Sequence, residues 1–182
     1  MGQFVNFNMN FIIFNLILIL VIIFLLFILS WVWPPGSPWA PWWRTNRKTA
    51  REICRLAKIT RSDLVYDLGC GDGTFIITAA KEFGAKSVGI EIEPTRFLIS
   101  KIRIVLNNLS SKVTVKRKSF LDEDISKATV VAVYLIPKTL EKLLPKFKKE
   151  LKKGTRIVSY RYPIKLKTQK SKVKSNLFLY II

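Results

Sequence analysis

Hydrophobic residues are arranged differently on the two sides of residue 43. From Phe11 to Trp33 the chain is apolar except at Asn15 and Ser30, and at helical rise this length spans about 30 Å of hydrocarbon. The pattern predicts one membrane-crossing helix. Beyond residue 43 the apolar positions become periodic. Leu64 to Leu68 reads as a strand, Thr74 to Phe83 as a helix, and Ser87 to Ile90 as a second strand. Pro94 then opens a helix whose Leu98, Ile102, Val105 and Leu109 are expected to line the core, and Val113 to Val115 begins another strand. Ala128 to Leu135 reads as a buried strand. Lys138 to Leu151 reads as a helix bent at Pro145, with Leu140, Leu143, Leu144, Phe147 and Leu151 on one face. Arg156 to Tyr160 and Asn176 to Ile182 complete the strands. Such alternation predicts a minimal α/β domain with a mostly parallel, doubly wound sheet, its ligand at the carboxyl ends of the strands near the switch point.

These boundaries divide the chain into an anchor (1–33), a Pro- and Trp-rich interfacial linker (34–43) and a globular domain (44–182). Pro34, Pro35 and Pro38 prevent the helix from continuing. All five tryptophans (Trp31, Trp33, Trp39, Trp42 and Trp43) fall directly after the apolar run, where indoles favour the headgroup level. Arg44, Arg47, Lys48 and Arg51 follow at once, which predicts a single-pass protein with its domain on the cytoplasmic side. Residues 1–43 carry no charged side chain, so the net charge of +19 belongs to the domain. On the helix from Arg47 to Ile59, Arg47, Lys48, Arg51, Arg55 and Lys58 face away from Ala50, Ile53, Cys54 and Ala57. The lysine run from Lys165 to Lys174 reads as a solvated face.

The chemistry is concentrated in Asp67-Leu68-Gly69-Cys70-Gly71-Asp72-Gly73. This loop is Gly-x-Gly-x-Gly with an acid two residues ahead. The pyrophosphate fingerprint is instead Gly-x-Gly-x-x-Gly, and a carboxylate at the strand end suits a cation, such as the ammonium of an amino-acid moiety, better than a phosphate. Glu91 follows Gly69 by 22 positions and ends the next strand, where it can take both hydroxyls of a ribose. The chain has no histidine, which removes the usual general base and most zinc sites. Its two cysteines, Cys54 and Cys70, have neither metal-ligand spacing nor the pattern of a disulfide framework. No metal is expected.

The run VYDLGCGDGTFIITAAKEFGAKSVGIEIEP, followed by SFLDEDISKATVVAVYLIPKTLEKLLPKFKKELKKGTRIVSYRYP, resembles the class I S-adenosylmethionine-dependent methyltransferases. Within them it is similar to the small membrane-anchored enzymes related to the mitochondrial lysine methyltransferases of the ATP synthase c-subunit and of the adenine nucleotide translocase. The resemblance implies a Rossmann-like sheet of the seven-stranded type and S-adenosylmethionine as cofactor. It implies that Asp67, Gly69, Gly71 and Gly73 hold the methionine part and Glu91 the ribose. Ile92 would pack on the adenine, with Ser119 and Phe120 completing that wall. Ser119 stands where the family usually has an Asp, and Pro41-Trp42 where it has Pro-Thr. The expected acceptor wall contains Tyr134 and Pro137. It lacks the Asp or Asn with two prolines that hold a nucleobase nitrogen, which disfavours nucleic acid.

The expected function is therefore methylation of a lysine on a membrane or membrane-proximal protein, with the bilayer and that protein as partners. No general base is identified. Two alternatives remain at this stage: methylation of a lipid or hydrophobic small molecule, and a non-catalytic basic module that binds RNA or membrane.

Overall fold

A computed structural model of the chain describes the backbone of residues 2–32, 43–166, 171–174 and 176–182, and the side chains of 9–29, 43–166 and 176–182. The elements are α1 (Gly2–Val32), α2 (Arg47–Leu56), β1 (Leu64–Leu68), α3 (Thr74–Phe83), β2 (Lys86–Glu91), α4 (Pro94–Leu106), β3 (Val113–Arg117), β4 (Val130–Val133), α5 (Pro137–Glu150), β5 (Arg156–Tyr160), β6 (Ser171–Lys174) and β7 (Leu177–Ile181). Apart from Trp43 and the backbone of Trp31, the tryptophan-rich segment and linker lie outside the described residues. So do Lys167 and Lys170.

The strands form one mixed sheet in the order β3-β2-β1-β4-β5-β7-β6. β1 to β5 are mutually parallel where they pair, and β7 runs antiparallel to β5. β6 is a four-residue edge strand paired antiparallel to β7. It lies within the lysine run expected to be merely solvated, because alternation along a short edge strand is hidden when half its positions are lysine. The chain order reverses between β1 and β4, which puts a crevice at the carboxyl ends of those strands.

Alternate residues of each strand serve opposite faces. Val65, Val130, Ala132 and Val158 pack with α2, α3 and Ile104 of α4. Tyr66, Leu68, Val131, Val133 and Ile157 pack with Leu140, Leu143 and Phe147 of α5. Two helices therefore owe their position to clear apolar stripes. In α2 the buried residues are Ala50, Ile53 and Cys54, with Asn46 capping the start by accepting from Thr49 N at 2.8 Å. Its outward Arg51 pairs with Glu82 of α3.

The stripe expected for α4 is not its core face. Leu98, Ile102 and Val105 are exposed, while Arg96, Ser100 and Ile104 are buried; Leu109 is buried but lies past the helix end. Apolar residues occur on both sides of this helix, so periodicity alone could not choose the side. Glu93 caps the helix start, its side chain accepting from the amides of Thr95 and Arg96 at 2.9 and 2.7 Å.

Among the described residues, one helix segment, Met9–Leu29, is long and apolar enough to cross a membrane. Every side chain of this segment is at least partly exposed.

Candidate active site

β1 carries Asp67 into the sheet beside the two smallest neighbours in register, Gly89 of β2 and Ala132 of β4. Gly69, Gly71 and Gly73 then all take positive φ, at 88°, 55° and 76°, so the chain turns sharply from β1 into α3. Gly73 is the N-cap of α3. Gly89 keeps this turn compact: a Cβ there would stand 2.6 Å from Cys70 Sγ and 2.7 Å from Ile76 Cδ1.

The crevice is lined by Asp67, Gly69, Gly71 and Glu91, by Ile92 and Phe120, and by Trp43, Tyr134 and Tyr160. Glu91 Oε2 accepts from Gly71 N at 2.8 Å and its Oε1 from Glu93 N at 2.9 Å, so the carboxylate is aimed by the backbone. Asp67 differs. It is buried, and none of the described residues donates a hydrogen bond to it. Burial, then the charges of Glu91 and Asp72, push its carboxyl up to about 8. Burial also raises Glu91, against the amides of Glu93 and Gly71 that lower it. A buried acid without a donor, beside a second acid, is a site prepared for a cation.

Three of the expected residues do not line the crevice. Ser119 Oγ instead accepts from Leu121 N at 3.2 Å within its own turn. Gly73 acts through backbone shape, and Pro137 opens α5. Several residues not singled out from the sequence join the site. Asp72 accepts from Thr74 N at 3.1 Å and Thr74 Oγ1 at 2.7 Å, and forms ion pairs with Arg44 and Arg103. Arg96 lines the crevice from α4. The Tyr134 and Tyr160 rings lie 4.5 Å apart, and Arg161 sits 5.8 Å from the Trp43 ring and 3.4 Å from Tyr134 Oη. These contacts join positions far apart in the chain, which leave no local pattern. Among the described residues no cluster of His, Cys, Asp and Glu is suited to a metal ion.

Residues 67–171 match the model of the ANTKMT methyltransferase domain. The chain belongs to this family. It is 39% identical over 156 residues to a protein-lysine N-methyltransferase of Saccharolobus islandicus, covering 81% of this chain and 95% of that protein. To the lysine N-methyltransferase of the ATP synthase c-subunit from Xenopus laevis it is 27% identical over 69% of its length, and it spans about half (54%) of that relative. Among solved structures, an RNA methyltransferase from Salinibacter ruber in complex with S-adenosyl-L-homocysteine is similar at 30% identity and a TM-score of 0.71, over 76% of this chain and 92% of that one. This family member uses S-adenosylmethionine. The donorless Asp67 and the paired Glu91 fit that cofactor, which carries an ammonium, a sulfonium and a ribose diol.

Proposed function

We propose that this protein is a membrane-anchored S-adenosylmethionine-dependent methyltransferase that modifies a lysine of a protein in or beside the membrane. The anchor is residues 1–33, the linker 34–43 and the catalytic domain 44–182, facing the cytoplasm beside the basic residues that follow the linker. When bound, S-adenosylmethionine supplies an electrophilic methyl carbon. Asp67 would accept from its ammonium, the amides of the glycine loop would face its methionine part, and Glu91 would take the ribose hydroxyls. Ile92 and Phe120 would hold the adenine.

The observation that carries the lysine reading is the aromatic wall. Among the described residues, Trp43, Tyr134 and Tyr160 offer aromatic faces and two hydroxyls there, with no amide or carboxylate of their own to read a nucleobase. An aliphatic stem can lie between such faces, and an ammonium is held over them. Arg161 adds a positive charge at the same wall, which favours the neutral amine over the ammonium once water is excluded. The neutral lone pair is the nucleophile. Bulk water can take the lysine's proton before docking, so the wall need only select and orient the amine. The names of the Saccharolobus and Xenopus relatives support the same acceptor class.

The test is transfer of labelled methyl from the cofactor to native membranes. Label that stays with protein and is recovered as methyl-lysine supports the reading. Label extracted with lipid, or released by ribonuclease, replaces it with a lipid or RNA acceptor. Cofactor binding unchanged in both Asp67→Ala and Glu91→Ala removes the proposed site.

A further inference from the structure

The exposed apolar face of α4 is the largest feature of the domain that methyl transfer does not use. Leu98, Ile102, Val105 and Leu106 are 55%, 49%, 61% and 76% exposed, and their spacing puts them on one side of the helix. We propose that this face rests on an anionic bilayer surface, an inference that builds on the membrane-anchored reading above.

Charge selects the occupant. Between Glu93 and Asp122 the chain has seven basic residues and no acidic one. Lys101 on α4, Lys112 in the turn after it and Arg117 on the neighbouring β3 are exposed. An apolar stripe with basic neighbours is the composition that seats a helix at the boundary between headgroups and acyl chains. Basic residues near the surface add attraction to anionic lipid. The four side chains expose on the order of 400 Å², within the range of the largest apolar patch on a typical monomer, which is often functional.

Reach permits the contact. The apolar span ends at Leu29, and Arg44 is already bound to the domain through Asp72. The chain between them can extend at most about 50 Å. Since α5 packs on the opposite sheet face from α2 and α3, Lys149 on α5 provides a control position away from the proposed contact.

The experiment uses the full chain in nanodiscs of phosphatidylcholine, with or without phosphatidylglycerol. An environment-sensitive fluorophore is attached at Ile102→Cys, at Val105→Cys or at Lys149→Cys, with the unsubstituted chain as blank because Cys54 and Cys70 are buried. In anionic discs the probes at 102 and 105 are expected to shift to shorter wavelength and lose emission to brominated acyl chains, while the probe at 149 does neither. Probes at 102 and 105 that stay as wet as that at 149 in anionic discs overturn the proposal, and so does equal quenching at all three sites. Alkaline carbonate extraction of the same samples tests the anchor separately. A chain released by carbonate whose probes at 102 and 105 are still quenched on anionic vesicles loses the anchor and keeps the α4 contact.

Discussion

Arg44 Nε donates to Asp72 Oδ2 at 2.9 Å, which ties the segment that leaves the linker to the glycine loop of the cofactor site. Arg103 of α4 reaches the same oxygen at 2.6 Å. The two ion pairs differ in value: the Arg44 side chain is 64% exposed and that of Arg103 only 23%. An exposed pair contributes about 0–1 kcal/mol, so Arg44→Ala is expected to leave stability and cofactor affinity nearly unchanged. Asp72→Ala removes the bonds to Thr74 N and Oγ1 and the ion pair with Arg103, which keeps its bonds to the Asp72 carbonyl and Thr74 Oγ1, for a cost of about 2 kcal/mol. Thermal melting and cofactor titration of both variants check this; a larger loss in Arg44→Ala than in Asp72→Ala contradicts it.

If Asp67 holds the cofactor's ammonium, cofactor binding should depend on pH. Its carboxyl is raised from 3.8 to about 8, first by burial and then by Glu91 and Asp72. In the free protein the native state therefore holds a proton that the unfolded chain has already lost. The stability of the free protein falls as pH rises from about 4 to about 8 and is then independent of this group. A bound cation favours the ionised acid. Below pH 8, binding must expel the proton, so affinity for S-adenosylmethionine should rise by up to about tenfold per pH unit and level off above it. Calorimetric titration in buffers of different ionisation enthalpy measures the proton release. Asp67→Asn should bind more weakly and with a flat profile.

Gly89 offers a test of packing beside the site without touching the cofactor. A Cβ would meet Cys70 Sγ and Ile76 Cδ1 at 2.6 and 2.7 Å, and both atoms are buried in the core. Gly89→Ala should cost about 1–3 kcal/mol through overpacking. It should also weaken cofactor binding, because Cys70 belongs to the loop. Removing the sulfur with Cys70→Ala should restore part of the melting temperature. No recovery in the double variant would place the clash on Ile76 alone.

The contrast between α3 and α4 shows what the sequence could convey. From Leu64 to Phe83 the strand, the positive-φ turn and the helix each have a local signature, and the three glycines leave one backbone path, so β1 and α3 have the bounds read from the chain. In α4, apolar residues on two sides gave periodicity no preferred face, and only the folded packing shows that Arg96, Ser100 and Ile104 are the buried side. The family resemblance implied a place for Ser119 at the adenine, but its hydroxyl accepts within a local turn. The Asp72 pairs span 28 and 31 residues, and only the folded sheet brings Trp43 to Tyr134 and Tyr160. Sequence spacing therefore conveyed the half of the candidate crevice built on one strand-turn-helix unit. The half assembled from separate loops required the fold.

That second half yields the prediction closest to the acceptor. If Trp43, Tyr134 and Tyr160 receive a lysine side chain, changing them should alter the acceptor's KM and leave cofactor affinity intact, because the proposed cofactor contacts are those of Asp67 and Glu91. Loss of one aromatic face from a cation site costs about 0.5–2 kcal/mol. Tyr160→Ala and Trp43→Ala should therefore each raise the acceptor KM by about two- to thirtyfold. Tyr160→Phe keeps the ring against Tyr134 and should stay near the parent enzyme. Arg161→Ala removes a positive charge next to the proposed amine and should move the pH profile of kcat to higher pH, since the docked lysine then loses its proton less readily. Steady-state kinetics against a lysine-containing membrane acceptor, with cofactor titration of each variant, separate these effects. A fall in cofactor affinity as large as the rise in acceptor KM would assign the three aromatics to the cofactor instead.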